Sequence, residues 1–156
     1  MRFVLIFAAA FLAPLTTGAE TIRNESDAGC LAVDLKTPAG PDDGDRNAIL
    51  HTACADTYWS VDAGGVAQVT AALELGDMCL SVDFRKSLHG KGRTFNVFAA
   101  ADCDKSLIWE IRGGFIAAEI AATVYCLEAS PAPDGPANAI ARIGCSGEDA
   151  SFWIIE

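Results

Sequence analysis

One pattern recurs three times along this chain and limits what it can fold into more than any single residue does. It reads Cys-Leu, then Asn, then a second Cys seven residues after that Asn, then a Trp inside an apolar run. The copies are Cys30-Leu31, Asn47, Cys54 and Trp59; Cys79-Leu80, Asn96, Cys103 and Trp109; and Cys126-Leu127, Asn138, Cys145 and Trp153. Self-similarity at a period of roughly 40–50 residues marks a repeat architecture, in which each copy is one supersecondary unit. The three units run about 20–64, 65–113 and 114–156.

All six cysteines fall inside the units. An even count in an exported chain implies a disulfide framework, although six cysteines allow fifteen pairings. Repetition selects among them, because one unit used three times should pair the same way each time. The expected bridges are Cys30–Cys54, Cys79–Cys103 and Cys126–Cys145, spanning 24, 24 and 19 residues. Closing loops of that size stabilises by roughly 3 kcal/mol each on the chain-entropy view. The competing use of cysteine is zinc, but there is no Cys-x-x-Cys, and the only histidines are His51 and His89. No metal and no cofactor are expected.

Export is read from the first nineteen residues. Arg2 precedes an apolar stretch, residues 3–12, and Thr17-Gly18-Ala19 forms a small-residue cleavage site. This is the pattern of a secretory signal peptide, too short for a membrane span. The mature protein, 20–156, is one domain's worth of chain, expected to be secreted or periplasmic and monomeric. Loss of Arg2 takes the formal net charge from -10 to -11. So acidic a protein approaches nucleic acid or an anionic membrane against like charge, so neither is an expected partner.

Within each unit the apolar runs are short, rich in Val, Ile and Phe, and punctuated by turn residues, which favours strands. The expected strands are 21–23, 31–35, 48–51 and 58–61; 66–69, 78–84, 95–101 and 108–111; and 115–120, 124–129, 140–143 and 152–155. Gly64-Gly65 and Gly113-Gly114 follow the first two Trp as tight reversals. Two alanine-rich patches, 71–75 and 117–122, have helix-like composition but occupy matching places in their units. They are read as strand ends and loops. A longer loop joins the second and third strands of each unit. It is acidic at 41–45, basic at 85–93 (Arg85, Lys86, His89, Lys91, Arg93) and proline-rich at 130–136.

Three four-strand units, each with Cys-Leu, a second Cys and a terminal Trp, resemble the ricin B-chain-type lectin domain over essentially all of 20–156. That resemblance implies an all-β fold, a β-trefoil of twelve strands in three four-strand repeats with pseudo-threefold symmetry. It also implies carbohydrate binding, with a glycan or glycoprotein as partner. The family's sugar contacts are only partly matched. The Asp expected two residues after the first Cys is Ala32, Ser81 and Glu128. The stacking aromatic expected two before the second Cys is Thr52, Ala101 and Ile143. The amide four before that Cys is Leu50, Ala99 and Ala141. The Asn and Gln ahead of the Trp are Asp56 and Thr57, Ser106 and Leu107, Ala150 and Ser151. The remaining candidate ligand residues are Asp34, Asp56, Tyr58, Asp83 and Glu128.

Two readings of function follow. One is a carbohydrate-binding module with a degenerate sugar site. The other is a non-catalytic trefoil scaffold for protein recognition through its loops, with the basic loop (Arg85, Lys86, Lys91, Arg93) as the landing point for an anionic partner. An enzyme is not expected, because every cysteine is assigned to a bridge and no nucleophile–base pair can be assembled from two histidines. Asp42, Asp43 and Asp45 lack the spacing of an EF-hand loop. Asn24-Glu25-Ser26 is a glycosylation sequon, relevant only in a eukaryotic secretory pathway.

Overall fold

A computed structural model of the chain describes residues 20–26, 29–54, 58–60, 66–67, 70–71, 76–88, 94–130, 138–145 and 152–156. The export segment, 1–19, lies outside the described residues. The fold is all-β. Its strands are β1 (Ile22–Asn24), β2 (Cys30–Pro38), β3 (Arg46–His51), β4 (Trp59–Ser60), β5 (Val66–Ala67), β6 (Thr70–Ala71), β7 (Met78–Ser87), β8 (Thr94–Ala100), β9 (Trp109–Arg112), β10 (Phe115–Ile120), β11 (Thr123–Ser130), β12 (Asn138–Ile143) and β13 (Trp153–Ile155). A 3-10 turn, Cys103–Lys105, follows β8.

Thirteen strand segments are described where twelve were expected. The expected strand 66–69 is represented by β5, and residues 68–69, between β5 and β6, lie outside the described residues. β5 pairs with β9, whereas β6 pairs with β4 and β7. The alanine-rich patch at 117–122 is likewise not helical. Its first four residues complete β10, and Ala121-Ala122 form the turn into β11. Both alanines have positive φ, 48° and 61°, the sign that a two-residue type I′ hairpin demands at both positions.

Every pairing is antiparallel, and the pattern repeats along the chain. β1–β2–β3, β6–β7–β8 and β10–β11–β12 are successive ladders in the three thirds. Neighbouring thirds join through β13–β1, β4–β6 and β9–β10. In addition, β3, β8 and β12 all pair with one another. The register there is cyclic. Asn47 stands opposite Phe98, Asn96 opposite Ile140, and Asn138 opposite Ile49, each Asn facing the residue two beyond the next Asn. Their side chains meet: Asn47 Nδ2 donates to Asn138 Oδ1 at 3.1 Å, and Asn96 Nδ2 donates to Asn47 Oδ1 at 3.3 Å.

Beneath this layer lies one core, built from Leu31, Leu80 and Leu127, from Ile22 and Ile116, from Val97, and from all three Trp. Trp59 and Trp109 are fully buried and Trp153 is 4% exposed. An indole N–H in a dry interior must find an acceptor. Each finds the same one: Trp59 donates to the Leu31 carbonyl at 2.8 Å, Trp109 to Leu80 at 3.0 Å, and Trp153 to Leu127 at 2.9 Å. The three disulfides pair Cys30–Cys54, Cys79–Cys103 and Cys126–Cys145, with Cα atoms 5.2, 5.2 and 5.4 Å apart. These are the bridges that repetition selects.

Two stability measurements test this account. Trp109→Phe removes apolar volume and leaves the Leu80 carbonyl without its donor, so urea unfolding should show a loss of about 3 kcal/mol. Ala122→Gly relieves a left-handed alanine, which costs roughly 1–2 kcal/mol, at a smaller entropic penalty. That variant should unfold at higher urea than the parent, and an equal or lower midpoint would contradict the turn geometry.

Candidate functional site

The surface elements best placed to meet a ligand are the long β2–β3 and β7–β8 hairpins and the clefts between thirds. Each hairpin departs from regular pairing at the same place, with register shifts between Asp34 and Pro38 and between Asp83 and Ser87. An Asp pins each bulge. Asp34 Oδ1 accepts the Lys36 backbone N–H at 3.0 Å, and its other oxygen accepts the Thr37 hydroxyl. Asp83 Oδ1 accepts the Arg85 N–H at 3.0 Å, and both carboxylate oxygens accept from the Arg85 guanidinium, at 2.8 and 2.9 Å. These are Asx turns, in which the carboxylate substitutes for a backbone acceptor. The Thr37 hydroxyl, then the Lys36 N–H, hold Asp34 below the usual carboxylate value of 3.8.

The bulges turn one apolar side chain outward on each hairpin, Leu35 and Phe84, both 40% exposed. Phe84 leans on Phe95 and Tyr125, with ring centroids 5.2 and 5.1 Å away and edge-to-face tilts. Phe95 and Tyr125 complete the triangle at 5.9 Å. This aromatic cluster closes the cleft between the second and third thirds.

The other candidate residues take different roles. Glu128 is 3% exposed, with Oε2 2.8 Å from Arg142 Nε. A carboxylate so placed is an internal ion-pair partner, since separating it from Arg142 would strand a buried charge. Tyr58 is 47% exposed. Lys86 lies in β7, while Asp56, Lys91 and Arg93 lie outside the described residues, as does His89. The Arg85 guanidinium lies on Asp83. His51 is exposed and turns its Nδ1 back to the Ala53 N–H at 3.1 Å. In the fold the sequon's Asn24 is fully buried and its Oδ1 accepts the Ser26 N–H. Among the described residues, no group of three or more His, Cys, Asp or Glu could hold a metal ion, and no helix is long and apolar enough to cross a membrane.

One structural residue escaped the sequence reading. Asp45, in the loop read simply as acidic, is 2% exposed. Its carboxylate accepts the Ala101 N–H at 3.1 Å and the Asp42 N–H at 3.0 Å, tying the loop onto the second third. Gly40 makes the approach feasible. It has φ of 80°, and a Cβ there would lie 2.5 Å from the Asp45 carboxylate and 2.6 Å from the Phe98 ring. A glycine directly before a Pro-Asp-Asp run was the available signal.

The Asp34 turn carries a pH signature. Its folded-state proton affinity is lowered, so the turn's contribution is complete above 3.8 and is lost as pH falls through the folded value. Asp34→Ala should therefore cost about 1 kcal/mol at pH 7, with the gap to the parent shrinking below pH 4. A gap that is constant with pH would show that the carboxylate charge does not hold the turn.

No protein-family model matches the chain, and no curated protein matches it. Among solved structures, a similar one is a salivary protein from Culex quiquefasciatus that belongs to the Cysteine and Tryptophan-Rich (CWRC) family. The alignment has a TM-score of 0.57 and 21% sequence identity, over 89% of this chain and 92% of that one. At that identity the likeness shows a shared fold and nothing more. It also corrects the resemblance to ricin B-type lectins, because the matched fold is that of a Cys- and Trp-rich salivary protein. The physical reason lies in the positions themselves. Ala32, Ser81 and Glu128, where sugar-binding carboxylates would stand, are all buried, so none can offer an oxygen to a ligand.

Proposed function

We propose that this chain is an exported, non-catalytic recognition module: a disulfide-braced β-trefoil scaffold that meets a protein partner with its hairpin ends. Three features support the trefoil reading. The ladders recur in each third, the Asn register is cyclic, and three equivalent indole–carbonyl bonds fill the core. Three intramolecular disulfides suit an oxidising, extracellular compartment.

The observation that carries the functional reading is the internal commitment of the carboxylates. Asp34 and Asp83 hold their bulges, Asp45 holds its loop, and Glu128 holds Arg142. What faces outward instead at the hairpins is apolar: Leu35 on one and Phe84 on the other. Partly exposed apolar side chains on rigid, pinned backbone are suited to a protein surface, which supplies shape-complementary pockets for such anchors. A glycan site is the second reading, favoured by Tyr58, whose exposed ring beside buried Trp59 could stack on a sugar.

One array experiment separates the two. The oxidised protein is applied to immobilised extracellular proteins and to glycans, alongside a Leu35→Ser/Phe84→Ser double variant and a Tyr58→Ala variant. The expected result is binding on the protein arm that the double variant loses and Tyr58→Ala keeps. Binding confined to the glycan arm and lost in Tyr58→Ala would replace the first reading with the second.

A further inference from the structure

The cleft between consecutive thirds is seen twice in the described residues, and its two versions differ. Between the second and third thirds it is lined by Phe84, Phe95, Tyr125 and Ile143. Counted from the repeat cysteines and asparagines, the same positions between the first and second thirds are Leu35, Arg46, Met78 and Ala101. The strand register agrees: Phe95 stands opposite Ala141, and Arg46 opposite Ala99, each four residues before a second Cys. Three rings plug the first cleft. The other, with one ring replaced by Arg46 and another by Met78, holds a pocket of about 210 Å³ lined by Gly44, Arg46, Asp77, Met78 and Ala101.

Its polar groups have opposite sign. The Arg46 guanidinium is oriented by Nη1, which donates to the Asp43 and Asp45 carbonyls, both at 2.8 Å. Those bonds fix the group without neutralising it. Asp77 is exposed at the rim, just before Met78, where the sister cleft has Val124. Among the described residues neither Arg46 nor Asp77 forms an ion pair. Met78, 5% exposed, and the Ala101 methyl supply the apolar lining.

We propose that this pocket binds a free α-amino acid with a small side chain, its carboxylate at Arg46, its ammonium at Asp77 and its side chain against Met78 and Ala101. The volume suits that size. It lies below the roughly 300–1,000 Å³ of drug-sized sites and is several times the share of about 30 Å³ taken by one water. The planar fork of guanidinium donors is matched to a carboxylate, and charge-assisted bonds are the strong ones. A ligand with only one charge would leave the other pocket group unpaired. The pairing therefore selects zwitterions over simple acids or amines.

The test is an NMR titration of the oxidised, ¹⁵N-labelled protein with L-alanine, using acetate and ethylamine as single-charge probes. L-alanine should saturate in the millimolar range, shifting the amides of Gly44, Asp77 and Ala101, with each single-charge probe weaker by about tenfold or more. Asp77→Asn should weaken L-alanine by about tenfold and leave the thermal midpoint unchanged. Ala101→Ile, which places the sister cleft's residue in the pocket, should abolish binding. Met78→Tyr makes the same plug from the floor, so the test stands if one of the two variants does not fold. Equal affinity for L-alanine and acetate, full binding by Asp77→Asn, or no shift by about 50 mM L-alanine would overturn the proposal.

Discussion

A tryptophan cannot enter a dry core without an acceptor for its indole N–H, and this protein meets that requirement three times in the same way. The acceptor is the carbonyl of the Leu that follows a bridged Cys. A backbone carbonyl has two lone pairs, so it can serve an indole as well as a ladder. The bond therefore ties the last strand of each third to the strand that carries its disulfide. Covalent bridge, aromatic volume and hydrogen bond converge within two residues, Cys30-Leu31, Cys79-Leu80 and Cys126-Leu127. Short strands have little stability of their own without such anchoring.

What happens between thirds is different in kind. No bridge crosses from one third to another, since each of the six cysteines is paired inside its own. Cohesion there comes from the common apolar core, with strand pairing, the asparagine contacts where β3, β8 and β12 meet, and residues that reach across, such as Asp45 to the Ala101 N–H. The clefts are where the thirds diverge. One is sealed by aromatic rings and another is left open beside an arginine. Repetition constrains the interior, where volume must be matched, and leaves the boundaries free to vary.

The sequence was most legible where a residue's chemistry leaves it a single environment. Cysteines in matched positions had to pair alike, and the short apolar runs at Cys-Leu had to be strands. It was least legible where the outcome depends on a distant neighbour. Asp45 is indistinguishable from Asp42 and Asp43 in the chain, yet only Asp45 sits against the Ala101 amide. Glu128 looked like a surviving ligand carboxylate until Arg142, on the next strand, was seen to hold it. Ala121-Ala122 carries no turn signature at all, yet both residues take positive φ. The family comparison failed for a related reason. Cysteine and tryptophan spacing reports how a core is braced, and unrelated surfaces can be mounted on the same bracing.

The pairing of β1 with β13, Ile22 against Ile155 and Asn24 against Trp153, has a consequence for how the backbone could be rewired. A path that returns to lie beside its own starting strand has no privileged opening. A short tether between residues 20 and 156 would complete the loop. A cut at the exposed Gly113, between the second and third thirds, would then create new ends while preserving every ladder, bridge and indole contact. Such permutation succeeds where the ends are close and the cut backbone is at the surface. The order in which the thirds are read is thus separable from the shape they make together.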